Sequence, residues 1–290
     1  MDLAKRGVAI VGPGRLGQAL GKLLAESGIP VRFVAARRRA MARQAARFIG
    51  SGRPVGLDSR QLTEAAVILL TASDAALGPL ARHLASLRND WSGKVVLHTC
   101  GSLPATVLRP LKSRGAAIGS IHPFQTVPSP EAGIRNLTGC FWAVEGDTAA
   151  RRVATQWVRA LEGIAFRIPP SKRILYHAAA FLVCPTVVTL MDRSARLLRL
   201  SGVPEKVARP MLAQFVGETI NNYVMLGARR ALTGPAVRGD WQTVRRHLNA
   251  LRRYSPDVVP VYVELLRAML RLSGQRPGRI IERVLRDGPA

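Results

Sequence analysis

The sequence has little cysteine, few aromatic residues and few acidic residues. Its three cysteines, Cys100, Cys140 and Cys184, are widely spaced and form no C-x-x-C pair. This argues against a disulfide framework and against a cysteine zinc cluster, and it fits a reducing compartment. The first apolar run begins at Val8, with no charged and apolar leader pattern before it. We therefore expect a cytoplasmic protein.

The shortage of acidic residues leaves a strongly basic chain. Eighteen acidic residues face 43 basic ones, of which six are lysines, and the net charge is +25. The arginines are spread as singles and pairs over most predicted helices, without a stripe of basic and aromatic residues. We interpret them as solvated helix faces, and nucleic-acid binding is the less favoured interpretation. A positive field also attracts phosphorylated cofactors and anionic substrates.

Long hydrophobic runs are scarce as well. Residues 174–191 are uncharged and about long enough to cross a bilayer, but they include Tyr176, His177 and Pro185. We interpret this stretch as a helix buried between domains or subunits and expect no membrane association. The length of 290 residues and the 48% hydrophobic content suit one large or two ordinary folded domains.

A complete βαβ unit is present near the start of the chain. A strand over residues 8–11 leads into Gly12, Gly14 and Gly17 with G-x-G-x-x-G spacing. A helix with apolar residues at helical spacing follows, and a second strand covers 31–35. Backbone N–H groups around Arg15 and Leu16 at the start of the helix can hold a pyrophosphate. The pattern predicts dinucleotide binding.

The second strand is followed by arginines where an NAD site carries an acidic residue. Arg37 and Arg38 lie about twenty residues beyond Gly17. An acidic residue would accept the ribose 2′-hydroxyl of NAD, whereas cations suit the 2′-phosphate of NADP. NADP(H) is therefore the predicted cofactor.

Further strands deliver polar residues to the same edge of the predicted sheet. A strand over 65–70 ends in Thr71 and Ser73, and a strand over 95–97 ends in His98 and Thr99. The next strand, over 116–121, ends in His122. The carboxyl ends of parallel strands form the ligand crevice of α/β sheets. We predict cofactor contacts from Thr71, Ser73 and Thr99, and active-site roles for the histidines, His122 ahead of His98.

The pattern becomes helical after Pro169-Pro170. We predict an α/β fold, with a Rossmann-type, mostly parallel sheet and a C-terminal all-helical domain, as an NADP-binding domain over 1–169 and a substrate and dimerisation domain over 170–290. Helices are predicted over 172–200, 205–226, 241–253, 258–272 and about 279–285, with Pro185 kinking or breaking the first. Asp74 and Asp240 are predicted N-caps. Long apolar helices of this kind favour a homodimer.

Several short motifs together resemble one family. They are His98-Thr99-Cys100-Gly101-Ser102, Gly119 to Gln125, Tyr176-His177-Ala178-Ala179, Leu232 to Pro235, Arg238-Gly239-Asp240 and His247-Leu248. They resemble the Rossmann-like oxidoreductases whose C-terminal helical domain is the domain of unknown function 2520. These are related to 6-phosphogluconate dehydrogenase-like, pyrroline-carboxylate reductase-like and ketopantoate reductase-like enzymes.

The resemblance implies an NADP-dependent reductase with its active site between the domains. The substrate would be a small 2-oxo acid, with ketopantoate as first candidate, or an imine. The candidate proton donors are His122, His177 and Tyr176, with His122 and His177 preferred and Lys172 as a further possibility if it is desolvated; Arg238 suits a carboxylate clamp. Family members commonly carry Ser in place of Cys100 and Asn in place of Pro185. A cofactor-binding protein without turnover, a sensor or scaffold, is therefore the alternative.

Overall fold

The computed structural model describes residues 6–276 together with Glu282 and Val284. Most of the predicted tail helix over 279–285 lies outside the described residues. The chain divides into two compact units, Met1–Cys184 and Pro185–Ala290. The domain boundary predicted at 169/170 stays a prediction.

The first unit is built on one sheet of eight strands in the order β3-β2-β1-β4-β5-β6-β7-β8. Every neighbouring pair is parallel except β6 and β7, which are antiparallel. The strands are β1 (Val8–Val11), β2 (Val31–Ala35), β3 (Arg53–Val55), β4 (Val67–Leu70), β5 (Val95–His98), β6 (Ala117–Pro123), β7 (Phe141–Gly146) and β8 (Ile164–Phe166). The predicted fold class is confirmed.

Six helices connect these strands, and a seventh leaves the unit. They are α1 (Arg15–Glu26), α2 (Arg39–Ile49), α3 (Asp74–Ser86), α4 (Arg109–Lys112), α5 (Pro130–Leu137), α6 (Thr148–Ala160) and α7 (Arg173–Leu200). Helix α5 was not predicted. The boundary between the two units falls inside α7, next to Pro185.

The central strands are buried on both faces because helices cover both sides of the sheet. Val8 and Ile10 belong to one core cluster, while Ala9 and Val11 belong to the cluster on the opposite face. All four side chains are fully buried. This two-sided burial explains why the strands read as continuous apolar runs.

Two local predictions need correction. Helix α3 has Ser73 at its N-cap position and Asp74 as its first residue, so Asp74 is not the cap. Helix α7 continues through Pro185, so the predicted alternative of a break is wrong, and the alternative of a kink stays a prediction. The predicted cap at Asp240 is confirmed, because its carboxylate accepts a hydrogen bond from the backbone N–H of Thr243 at 3.1 Å.

Up to residue 276, the second unit contains the end of α7 and four further helices. These are α8 (Glu205–Leu226), α9 (Ala228–Ala231), α10 (Trp241–Tyr254) and α11 (Val259–Leu272). Their small core contains Val244, Leu248, Leu266 and Leu270.

Large apolar side chains on α7 and α8 are exposed, among them Phe215 at 72% and Met225 at 77%. Among the described residues, one helical segment, Pro170–Leu200, is long and apolar enough to span a membrane by length and composition. The absence of membrane association therefore stays a prediction.

Candidate active site

The three glycines of the loop after β1 have different surroundings. Gly12 has a φ of +76°, a conformation that L side chains rarely adopt. A side chain on Gly17 would place its Cβ 2.2 Å from the hydroxyl oxygen of Thr71. Around Gly14 nothing lies within 4 Å of such an atom. The loop is thus packed tightly at both ends and open in its middle.

Thr71 holds this loop against the end of β4. Its hydroxyl donates a hydrogen bond to the carbonyl oxygen of Gly12 at 2.8 Å. Gly14 is the N-cap residue of α1 and offers no side-chain cap. The first N–H groups of α1, at Arg15, Leu16 and Gly17, therefore have no side-chain cap and are suited to an anion.

A cavity of about 690 Å³ opens beside the loop. Among the described residues that line it there is no carboxylate, and the exposed Arg37 and Arg38 supply positive charge. The lining residues are Gly12, Pro13, Gly14, Ala36, Arg37, Arg38, Met41, Leu57, Thr71, Ala72, Ser73, Ala76, Pro79, Leu80 and His83. Thr99, a predicted cofactor contact, is buried and does not line this cavity.

The lining of the cavity includes a histidine, His83, that the sequence analysis did not single out. His83 lines the cavity, and its Nε2 lies 2.8 Å from the carboxylate of Asp58. It sits one helical turn beyond the lining residues Pro79 and Leu80 on α3, a spacing visible in the sequence.

The first turn of α7 brings a tyrosine onto the histidine at the end of β6. The hydroxyl of Tyr176 lies 2.8 Å from Nδ1 of His122, and the two rings meet edge to face with centroids 5.5 Å apart. Phe124 and Phe166 flank the phenol ring, with centroid distances of 5.3 and 6.0 Å. Two of the predicted catalytic residues are thus directly paired.

His177, the next residue, lies close to the same histidine. Its ring centroid is 6.3 Å from that of His122, and Gly101, in the loop after β5, lies next to both rings. A Cβ on Gly101 would lie 2.6 Å from Nε2 of His122 and 2.8 Å from Nδ1 of His177. A larger residue there would have to displace one of the two rings, so a glycine at this position of the His-Thr-Cys-Gly-Ser motif allows their present arrangement.

His98 has a different environment. It is fully buried, and its Nδ1 accepts a hydrogen bond from the backbone N–H of Cys100 at 3.1 Å. Burial, with the positive charge of Arg173, lowers its pKa to about 3. His98 shapes the turn after β5, and this geometry favours a structural role.

A buried ion pair, which sequence reasoning missed, fixes the start of α7. Arg173 is 1% exposed, and its guanidinium lies 3.1 Å from the carboxylate of Glu145 on β7. The guanidinium also donates a hydrogen bond of 2.6 Å to the carbonyl oxygen of Cys100. The second carboxylate oxygen of Glu145 accepts the backbone N–H of Ala105 at 3.0 Å. The pair therefore connects β7, α7 and the loop after β5.

A second polar contact joins the loop after β5 to the first residue of α3. Ser102 donates a hydrogen bond to the carboxylate of Asp74, and its hydroxyl lies 3.3 Å from the sulfur of Cys100. Partial burial raises the pKa of Asp74, but the hydrogen bonds from Ser102 and Cys100 outweigh it and hold the pKa below its usual range. Burial raises the pKa of the Cys100 thiol.

The electrostatics keep the paired rings uncharged near neutral pH. Burial, reinforced by the charges of Arg173 and His177, lowers the pKa of His122 to about 4. Burial also raises the pKa of Tyr176 above its ordinary value. The phenol therefore keeps its proton, and the imidazole is neutral.

The contacts described above do not include the remaining predicted residues. Lys172 is exposed and directly precedes Arg173. Arg238 belongs to the second unit, where it is exposed in the turn before α10. Another histidine–tyrosine pair is present in that unit, with His247 Nδ1 3.0 Å from the hydroxyl of Tyr262.

Solved structures share this fold across nearly the whole chain. A Bacteroides fragilis protein described as an NADP oxidoreductase has a TM-score of 0.75 at 22% identity, covering 93% of this chain and 99% of that chain. A Thermotoga maritima protein has a TM-score of 0.69 at 22% identity, with 92% and 98% covered. An imine reductase from Myxococcus stipitatus in complex with NADP+ has a TM-score of 0.63 at 15% identity, with 97% and 100% covered.

No curated protein matches the sequence. Two domain families do: a Rossmann-like domain over residues 1–123 and the domain of unknown function DUF2520 over residues 140–269. These matches confirm the resemblance found in the sequence motifs. The chain therefore combines a Rossmann-like domain with a C-terminal DUF2520 domain.

Proposed function

We propose that the protein is an NADPH-dependent reductase of a small 2-oxo acid or imine. One observation carries this proposal: a glycine-loop cavity with two arginines and a histidine that is paired with a tyrosine of α7 both lie at the carboxyl ends of strands in a single sheet. Ligands bind at this edge of α/β sheets. The fold shared with an imine reductase in complex with NADP+ supports the same reaction class.

The residues around the cavity fit NADP(H). The space at Gly14 leaves room for a pyrophosphate against the first N–H groups of α1. Arg37 and Arg38 suit the 2′-phosphate, because their planar guanidinium groups can bind it in a bidentate manner. When bound, the nicotinamide supplies the hydride, and the chain supplies position and a proton.

Tyr176 and His122 form a suitable path for that proton. With Nδ1–H of His122 donating to the phenol oxygen, the phenol proton is free to pass to the oxygen or nitrogen of the reduced substrate. The phenol oxygen then takes the Nδ1 proton while Nε2 of His122 accepts one from solvent. No charge accumulates, because His122 starts and ends neutral.

The substrate experiment compares ketopantoate, other small 2-oxo acids and cyclic imines, with NADPH oxidation as the readout and NADH and substrate-free samples as controls. We expect turnover with NADPH for one of these classes. Activity on 2-oxo acids would support Arg238 as the carboxylate clamp. Tight NADPH binding without turnover on the whole panel would contradict the reductase and favour the sensor or scaffold.

Removing the two arginines of the cavity should change the cofactor preference. Arg37→Gln/Arg38→Gln is expected to weaken NADPH binding by about tenfold to a hundredfold and to leave NADH binding nearly unchanged, since the lost contacts are charge-assisted bonds to the 2′-phosphate. Arg43→Gln/Arg47→Gln, on α2, removes the same charge from outside the cavity. If both double variants have the same effect, the general field and not a 2′-phosphate site sets the preference.

Replacing the proposed proton donor should lower kcat without loosening the fold. Tyr176→Phe keeps the ring contacts with Phe124 and Phe166 and is expected to reduce kcat by about a hundredfold, with the KM for NADPH unchanged. Tyr262→Phe disrupts the equivalent pair with His247 and is the matched control. A Tyr176→Phe enzyme with full kcat would exclude the phenol as donor.

We also propose that the protein is a cytoplasmic homodimer. A second copy would cover the apolar side chains exposed on α8, including Phe215 and Met225. Light scattering on the eluting protein should give twice the chain mass, and Phe215→Lys should shift it toward the monomer. A detergent requirement for solubility would contradict the proposal and favour a membrane-bound helix.

A further inference from the structure

The first unit has a second groove, separate from the cofactor cavity. It has a volume of about 530 Å³ and lies between α6 and the edge strand β8. Its lining includes Arg151, Arg152, Arg159 and Arg167 together with Thr148, Thr155 and Phe166. It shares none of its lining residues with the cofactor cavity.

The helix side of the groove is one continuous polar face. Thr148, Arg151, Arg152, Thr155 and Arg159 follow each other at helical spacing, so their side chains project from the same side of α6. The helix contains no acidic residue along its length. Arg167, just beyond β8, faces this side from across the groove.

Most of the positive charge in the groove has no counter-charge within the described part of the chain: Arg151 acts electrostatically on the carboxylate of Asp147, just before α6, while Arg152, Arg159 and Arg167 have no such partner there. Elsewhere arginines are paired: Arg193 and Arg196 contact Asp257, and Arg199 contacts Glu205. By contrast, no ion pair between described residues includes an arginine of the groove, and no carboxylate lines it. The guanidinium groups around the groove are therefore available to bind an external anion.

The anchoring of Arg151 makes part of the groove a prepared site. Its guanidinium donates hydrogen bonds to the carbonyl oxygen of Gly146 at 2.6 Å and to the hydroxyl of Thr148 at 3.3 Å. A planar guanidinium held in place loses less side-chain freedom when it binds an oxyanion. One anchored guanidinium group together with three further arginines around the same groove fits a ligand with more than one phosphate charge.

Phe166 connects the groove with the catalytic cluster. Its ring lines the groove and also meets Tyr176 edge to face, with centroids 6.0 Å apart. The phenol of Tyr176 in turn contacts His122. A ligand that presses on Phe166 therefore lies one side chain away from the proposed proton donor.

We propose that this groove is a second anion-binding site for a ligand with several phosphate charges, and that Phe166 transmits its occupancy to Tyr176. Binding in the groove does not depend on reductase activity, whereas an effect on turnover rests on the proposed function. The two are therefore measured separately.

Binding is tested with inorganic tripolyphosphate by calorimetry at fixed ionic strength. The host is the Arg37→Gln/Arg38→Gln protein, because the cofactor cavity also attracts phosphates. We expect one tripolyphosphate bound per chain. Adding Arg152→Gln/Arg159→Gln should weaken binding by about tenfold or more, since charge-assisted contacts are lost. Glutamine is a good helix former, so α6 should stay intact.

The matched control is Arg43→Gln/Arg47→Gln in the same host, which removes equal charge from α2. Its affinity for tripolyphosphate should stay within about twofold, because screening limits the influence of distant charges. Equal weakening by both pairs, or no binding, would overturn the site. The site would also be overturned if a single-stranded oligonucleotide bound more tightly than tripolyphosphate and if its binding were weakened by either double substitution, on α6 or on α2. That result would indicate a diffuse nucleic-acid surface.

Transmission is tested without substrate, by NMR of protein labelled in its histidine rings. The His122 signal, assigned by its loss in His122→Asn, should shift as tripolyphosphate is added. In Phe166→Leu the ligand should still bind and the shift should be lost. An unchanged His122 signal at saturation, or an unaltered shift in Phe166→Leu, would overturn the link while leaving the binding result to stand on its own.

Discussion

Gly14→Val should abolish cofactor binding and leave the fold unchanged. The backbone there has φ −73° and ψ −163°, an extended conformation that valine adopts readily, and nothing surrounds its Cβ position within 4 Å. The new side chain would instead fill the space beside the first turn of α1. We expect Kd for NADPH to rise by about a hundredfold or more, since at least two charge-assisted hydrogen bonds would be blocked.

Gly17→Ala is the control, because it should lower the stability of the fold and affect NADPH binding less than Gly14→Val does. Its Cβ would lie 2.2 Å from the hydroxyl of Thr71, so α1 or the end of β4 has to move. We expect a loss of about 1–3 kcal/mol in the free energy of unfolding, as for other overpacked sites. Thermal unfolding and NADPH titration on both variants separate the two effects. Normal NADPH affinity in Gly14→Val would refute phosphate binding at this loop.

The largest loss of stability is expected when the buried ion pair is opened. Arg173→Met leaves the carboxylate of Glu145, which is 8% exposed, without its cationic partner. Removing one partner of a buried pair typically costs about 3–5 kcal/mol. We expect a loss of that size in urea unfolding. Losing the positive charge should also raise the pKa of His122 from about 4, which histidine NMR can follow.

The double variant Arg173→Met/Glu145→Gln distinguishes a charge effect from a packing effect. Glutamine keeps an oxygen for the N–H of Ala105 and removes the unpaired negative charge. We expect it to recover about 1–3 kcal/mol of the loss in Arg173→Met, the range of coupling between contacting residues. Additive losses would show that the pair is not energetically coupled.

The glycine loop, the strands and the order of the elements were predictable because their signals are local. Apolar runs and glycine spacing lie within short windows of sequence. Helix α5 was missed although a local signal exists: Ser129 caps it by accepting a hydrogen bond from Ala132 N–H, and Pro130 occupies its first position. The short length of the helix hid this signal.

The contacts that hold the cluster together were not predictable in the same way. Arg173 and Glu145 are 28 residues apart in sequence, and Ser102 and Asp74 are likewise 28 apart. One arginine among many gives no sign that it is buried, because the partner that makes burial tolerable is remote in sequence. Likewise, Asp74 reads as a helix cap until Ser102 is seen to reach its carboxylate.

The order of these residues along the chain has a consequence for synthesis on the ribosome. All residues that line the cofactor cavity have been made once translation reaches His83. The hydrogen bond from Arg173 to Cys100, by contrast, joins residues 73 positions apart. Domains generally fold from the N-terminus as they are made. The cavity residues are therefore made well before Tyr176, but both belong to the first compact unit, which ends at Cys184. Since a domain folds as a unit, we expect the cavity and the His122–Tyr176 pair to form together, once the chain has been made through α7.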